Sequence, residues 1–130
     1  VIVVDTNVVA YLYLPGDRTG ATEALRQKDP VWAAPSLWRS EMRNLLATQV
    51  RAGRLELEVA QLIQFEAEHL LRGHEFQVDS AEVLRLSVES GCSAYDAEFV
   101  ALADYLDVPL VSADRRLVER FPARARLLGA

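Results

Sequence analysis

Short, unbroken apolar runs alternate along this chain with longer segments whose apolar residues recur every three or four positions. Val1 to Val4 is an uninterrupted β-branched run, the pattern of a strand covered on both faces, and Asp5 closes it. The polar trio Asp5-Thr6-Asn7 leads into Val8 to Leu14, a short helix ended by Pro15-Gly16. A helix from about Arg18 to Gln27 follows, Asp29-Pro30 turns the chain, and Val31 to Ala34 reads as the second strand. Pro35-Ser36 opens a longer helix to about Ala52, with Trp38, Met42, Leu45, Leu46 and Gln49 along one side and Gly53 at its end. Leu57 to Leu71 repeats that pattern, so the two predict a helical hairpin.

The same reading continues through the second half. Phe76-Gln77-Val78 alternates as a short third strand, and Asp79 with Glu82 fits a capping box for a helix to about Ser90. Ser93 is a good N-cap for a helix carrying Phe99, Val100, Leu102, Ala103 and Leu106. Pro109 cannot continue that helix but tolerates the first position of a strand, which Leu110 and Val111 form. After Asp114 come one short helix and, from Arg124 to Leu128, a weak edge strand. Strands alternating with helices predict one α/β domain over residues 1–130, in three layers, with a central, mostly parallel sheet of four or five strands.

Composition narrows the setting. A chain of 130 residues suits one domain that buries roughly two-thirds of its unfolded surface. No apolar run approaches the roughly 20 residues of a bilayer crossing, and no secretory signal core is visible, so no membrane and a cytoplasmic location are expected. The single cysteine, Cys92, excludes an internal disulfide and agrees with a reducing compartment. A net charge of −5 counts against unaided nucleic-acid binding. That objection weakens if the acids are concentrated in one pocket, where bound divalent cations reverse the local sign.

Four acids invite that reading. Asp5 and Asp114 follow strands directly, and in open parallel sheets the working crevice lies outside the carboxyl ends of the strands. Either aspartate is equally well read as a helix cap. Ser93-x-x-Asp96 is a capping-box pattern, yet Asp96 also stands three and four positions before Phe99 and Val100, on their inward side. Glu41 lies in line with Leu37 and Leu45, at the margin of its helix's apolar side, where a solvated flank is the ordinary outcome. Crowded together, four carboxylates would repel unless cations neutralised them. Oxygen-only ligands suit Mg2+, or Mn2+, rather than zinc. His69 and His74 lie far from these segments and are read as surface or core residues.

Val-Asp-Thr-Asn at 4–7, Ser40-Glu41, Ser-Ala-Tyr-Asp-Ala-Glu-Phe-Val-Ala-Leu-Ala from Ser93 and Pro-Leu-Val-Ser-Ala-Asp-Arg-Arg-Leu from Pro109 together resemble a PIN domain. More narrowly they are similar to the ribonuclease toxins of the VapC type, over nearly the whole chain. The resemblance implies a metal-dependent endoribonuclease that cuts single-stranded or looped RNA with an activated water and leaves a 5′-phosphate. It assigns the catalytic, metal-binding acids to Asp5, Glu41, Asp96 and Asp114, with Asp5 and Asp96 most directly tied to the ion. It implies that Thr6 or Asn7, and Ser112 where threonine is common, orient waters or carboxylates. It also implies a cognate antitoxin docked near the helical hairpin, and a homodimer.

Arg115 and Arg116 begin a helix, where positive charge opposes the macrodipole; contact with the RNA backbone would account for the misfit, and so would simple solvation. Trp38, Arg39 and Arg43 flank Glu41 and are read either as groove-lining or, for Trp38, as core. Three other readings stand beside the toxin: a housekeeping PIN nuclease of RNA processing, a phosphatase or phospho-acceptor domain with Asp5 as nucleophile, and a non-catalytic acidic binding module. The phosphatase pattern wants an aspartate where Asn7 stands, and the phospho-acceptor pattern wants a lysine near the last strand, where there is none.

Overall fold

A computed structural model describes residues 1–130. Five strands, β1 (Ile2–Val4), β2 (Trp32–Pro35), β3 (Glu75–Phe76), β4 (Leu110–Ser112) and β5 (Ala125–Leu127), form one sheet in the order β3-β2-β1-β4-β5. Every pairing is parallel, including that of the weak edge strand, where Leu110 stands opposite Ala125 and Ser112 opposite Leu127. Each connection therefore has to cross back over the sheet through helix. These are α1 (Thr6–Tyr13), α2 (Thr19–Lys28), α3 (Trp38–Arg51), α4 (Leu57–Leu70), α5 (Ser80–Ser90), α6 (Ala94–Leu106) and α7 (Arg115–Arg120).

Strand order reverses direction between β1 and β4. Right-handed crossovers then put α1 to α4 on one face and α5 to α7 on the other. Both faces of the middle strands are accordingly covered: Ile2, Val3 and Val4 in β1 and all of β2 and β4 are buried. The expected three-layer α/β/α arrangement is what the chain adopts. Helix α6 lies across β1, β2 and β4 and packs along α5, which leaves Ala97 and Phe99 to Ala103 buried through its middle. Trp32, Trp38, Met42, Leu71, Leu102 and Leu110 are the largest fully buried side chains of the core. The α5–α6 reversal turns on Gly91, whose φ of 79° is a left-handed conformation that a side chain would strain.

Three boundaries differ from the sequence expectation, each for a physical reason. Helix α1 starts at Thr6 rather than Val8, because the Asp5 carboxylate caps it by accepting from the Val8 N–H. Strand β2 runs through Pro35, and α3 starts only at Trp38. Ala34 and Ser36 donate to the carbonyls of His74 and Phe76, so the missing N–H of Pro35 faces the β1 side, beyond the last β1–β2 pair at Val3 and Ala33. Strand β3 is Glu75–Phe76 rather than 76–78. Glu75 is held there by Trp38 Nε1 and Arg39, anchors that an alternation rule does not see.

Candidate active site

The carboxyl edge of the sheet, at the β1–β4 switch point, is built by helix N-termini. Asp5 is the N-cap of α1 and Asp114 the N-cap of α7, while Glu41 and Asp96 stand in the first turns of α3 and α6. Anionic groups are favoured at all four places by the free N–H groups and the helix dipole. Topology gathers those helix ends at one edge, so it also gathers their acids. Asp5, Glu41, Asp96 and Asp114 line one cavity of about 140 Å3, together with Thr6, Asn7, Leu45, Phe99 and Leu117.

Capping and cavity-lining turn out not to be alternatives. Asp5 Oδ1 accepts from Val8 N at 3.0 Å, and its Oδ2 accepts from the Ser112 hydroxyl. The Ser112 oxygen in turn accepts from Asp114 N at 2.9 Å, so one fully buried hydroxyl ties the ends of β1 and β4 together. Asp114 Oδ1 caps α7 through the N–H groups of Arg116 and Leu117, leaving Oδ2 uncommitted. Buried Thr6 donates to Glu41 Oε1 at 2.7 Å, which fixes the glutamate and leaves Oε2 free. At Asp96 the capping box is half closed. Its N–H donates to Ser93 Oγ at 3.0 Å, no return bond joins the Ser93 N–H to its carboxylate, and that carboxylate faces the cavity.

Electrostatics register the crowding. Burial pushes the Asp5 carboxyl above its usual range and the Asp96 charge adds to this, while bonds from Ser112, Val8 and Ala113 pull it back. Glu41 is raised by burial and then by the charges of Asp96, Asp5 and Glu98, against the Thr6 hydrogen bond. Asp96 is raised by burial and by Asp114, with Ser93 and Arg120 opposing. No ion pair in the molecule involves any of the four acids.

The remaining sequence candidates divide. Thr6 and Ser112 hold the acids, whereas exposed Asn7 lines the cavity without bonding to them. Arg115 and Arg116 are exposed on the first turn of α7 and are not part of the cavity wall. Trp38 is core, with its indole N–H on Glu75, and Arg39 is occupied by Glu75 and Glu68; neither lines a groove beside Glu41. His69 and His74 stand apart from the acids. Two residues escaped the sequence reading. Glu98 is half-buried, with its carboxyl raised by burial, and it acts on Glu41; Arg120 acts on Asp96.

As the side chains stand, no three acids, histidines or cysteines are drawn tightly enough to grip an ion. Four carboxylates share the walls of a cavity rather than forming a closed cage. Their chemistry nevertheless fits a small divalent cation: every donor is a hard oxygen, the charges are uncompensated, and Mg2+ binds through one or two carboxylates while keeping several waters.

The PIN-domain family model matches residues 2–122. Ribonuclease VapC3 of Pyrobaculum aerophilum is 30% identical over 125 residues, which cover 94% of this chain and 95% of that protein. Among solved structures, PAE2754 from Pyrobaculum aerophilum superposes with a TM-score of 0.76 at 24% identity, over 98% of this chain and 90% of the other. VapBC2 from Rickettsia felis, bound to a DNA fragment from its promoter, gives 0.71 at 15% identity and covers 97% of each chain. Matched from its first strand to the end of its last helix, and like a VapC protein along almost its entire length, the chain belongs to the PIN-domain family, among the VapC-type proteins.

Proposed function

We propose that this chain is an endoribonuclease toxin that hydrolyses RNA phosphodiester bonds with carboxylate-bound Mg2+ or Mn2+ and is silenced by a cognate antitoxin. The observation that carries the reading is the convergence of Asp5, Glu41, Asp96 and Asp114, drawn from four distant segments, on one cavity without a single ion pair. The relative named a ribonuclease, similar over nearly the full length, supports the substrate class.

Asp5, Asp96, Asp114 and Glu41 would hold the ion. When bound, it would lower the pKa of a water and balance charge on the phosphate oxygens. The chain's own residues supply the rest. Ser112 locks the Asp5 carboxylate in place and ties it to the backbone of Asp114, so the two strand ends move as one unit. Thr6 orients Glu41, whose free Oε2 and raised proton affinity suit it to take a proton from the attacking water. Phe99, Leu45 and Leu117 keep the floor apolar, which strengthens every charge interaction above it.

An antitoxin segment would dock on the α3–α4 hairpin. A groove of about 420 Å3 runs between those helices, with Leu46, Ala47, Val50, Leu57 and Ala60 in its wall. The net charge of −5 suits a basic partner tail. Leu62 and Phe65, exposed on α4, would contribute to a homodimer. No helix is long and apolar enough to cross a membrane, and the reading places the protein in the cytoplasm.

The test is cleavage by the purified chain, freed of antitoxin. Single-stranded and structured RNA should be cut with Mg2+ or Mn2+, cutting should stop with chelator, and the products should carry a 5′-phosphate. Absence of cleavage in every metal, with the protein folded, would contradict the reading. An antitoxin gene next to this one would separate a toxin from an RNA-processing nuclease.

A further inference from the structure

Two stripes on the α3–α4 hairpin have the same spacing and opposite charge. On α3, Arg43, Ala47, Val50 and Arg51 stand at i, i+4, i+7 and i+8, the spacing of one helix face, and all four line the groove between the helices. On α4, Glu58, Leu62, Phe65 and Glu66 repeat that spacing on a face turned to solvent, with exposed Val59 beside them. Leu62 is 58% and Phe65 64% exposed, so the second stripe is an apolar surface without a cover. Arginines bracket the first stripe and glutamates the second, in each case eight positions, or about 12 Å, apart.

Nothing inside the chain uses these bracketing charges. Arg43, Arg51, Glu58 and Glu66 enter no ion pair, whereas Arg39, Arg85 and Arg124 each bridge two acids. On α5 the exposed pair Leu84 and Val88 stands among Arg85, Glu82 and Glu89, which satisfy one another within the helix. The hairpin instead offers two apolar stripes whose flanking charges are uncommitted.

Within one chain α3 and α4 run antiparallel, as the bond from Arg39 at the start of α3 to Glu68 near the end of α4 shows. Rotation about a two-fold axis parallel to the hairpin therefore lays α4 of each copy antiparallel on α3 of the other. In that register Arg51 meets Glu58, Val50 meets Val59, Ala47 meets Leu62 and Arg43 meets Glu66. Small Ala47 gives room to Leu62, and opposite charges close both ends.

We propose, resting on the homodimer reading, that a second copy of this chain fills the groove, with α4 of each protomer seated along α3 of the other. The contact is isologous, so every pair forms twice. An antitoxin segment docking in the same groove has to displace the second copy, and its binding opens the dimer.

Sedimentation equilibrium of the purified chain, free of antitoxin and spanning low to high micromolar concentration, tests this. The wild type is compared with Arg43→Glu/Arg51→Glu, with Glu58→Arg/Glu66→Arg, and with the chain carrying all four changes. Circular dichroism confirms that each chain folds. The wild type should be a dimer, each double variant should raise the dimer dissociation constant about 100-fold or more, and the four changes together should return it to within about 10-fold of the wild type. Dimers unmoved by either double variant would place the second copy on another face and overturn the assignment, as would losses that the combined changes do not recover. A wild type that stays monomeric throughout would overturn the homodimer reading with it. RNA cleavage enters none of these outcomes, so the nuclease reading stands or falls separately.

Discussion

Glu41, in the first turn of α3, and Glu75, in β3 beside that helix, are both partly buried, and they have opposite electrostatic fates. Glu75, in β3, accepts from Arg39 and from the Trp38 indole, and the Arg39 guanidinium holds its carboxyl below the usual range. Glu41 meets only the Thr6 hydroxyl and other acids, and burial raises it. Elsewhere too the molecule partners its structural carboxylates with arginine, as Arg124 does for Asp104 and Asp107. At the cavity none of the four acids forms an ion pair, and only the more distant Arg120 acts on one of them. On the proposed reading, the contrast separates charges that serve the fold from charges left without an ion-pair partner at the site.

The sharpest way to break that distinction is Asp96→Asn. Cleavage should fall by roughly 10²–10⁴-fold, while the melting temperature holds or rises, because one repelling charge is gone. Unchanged cleavage would remove Asp96 from the mechanism. Ser112→Ala comes next. It removes the hydroxyl that joins Asp5 to the Asp114 backbone, and activity and Mn2+ affinity should each drop about 10–100-fold, with Ser112→Thr retaining most of both. On the structural side, Arg39→Ala strands the Glu75 carboxylate and should cost about 1–2 kcal/mol by denaturant unfolding, discounted for the arginine's partial exposure. Activity of the remaining folded protein should be unchanged; a catalytic loss larger than the loss of folded protein would erase the division between the two regions.

The smallest effect is on pH dependence, and its sign differs between the regions. Asp5, Glu41 and Asp96 titrate above their ordinary values of 3.8, 4.5 and 3.8, so the metal-free folded state binds protons more tightly than the unfolded chain. Their contribution favours folding below those ordinary values and is lost as pH rises through the raised ones. Glu75 titrates below 4.5, so its contribution is present above that value and lost as pH falls through the lowered one. Without metal, Asp5→Asn should therefore gain stability over the wild type between about pH 4 and 7, as measured by thermal melts across pH, and Arg39→Ala should lose more at pH 7 than near pH 4.

Strand and helix order, the weak edge strand at β5 and the placement of Asp5, Asp96 and Asp114 were legible because each rests on a local pattern of apolar runs, N-cap residues or acids just after strands, whereas Glu41, whose position predicts a solvated flank, came only from the family resemblance. Less legible was anything set by partners far away in sequence. The bonds from Trp38 and Arg39 that pull β3 back to Glu75, and the pairing register that admits Pro35 into β2, depend on segments that meet only in the folded chain. Arg115 and Arg116 drew attention for opposing the dipole, and both stand exposed on the first turn of α7, outside the cavity wall. Capping and site formation were read as competitors, whereas a carboxylate has two oxygens and Asp114 caps with only one.

Anomalous diffraction from crystals soaked in Mn2+ tests the central claim most directly. A peak between the carboxylates of Asp5, Glu41, Asp96 and Asp114, lost in Asp96→Asn, is the predicted result. No peak in that cavity at saturating Mn2+, or binding only at other acids of the surface, would contradict the account.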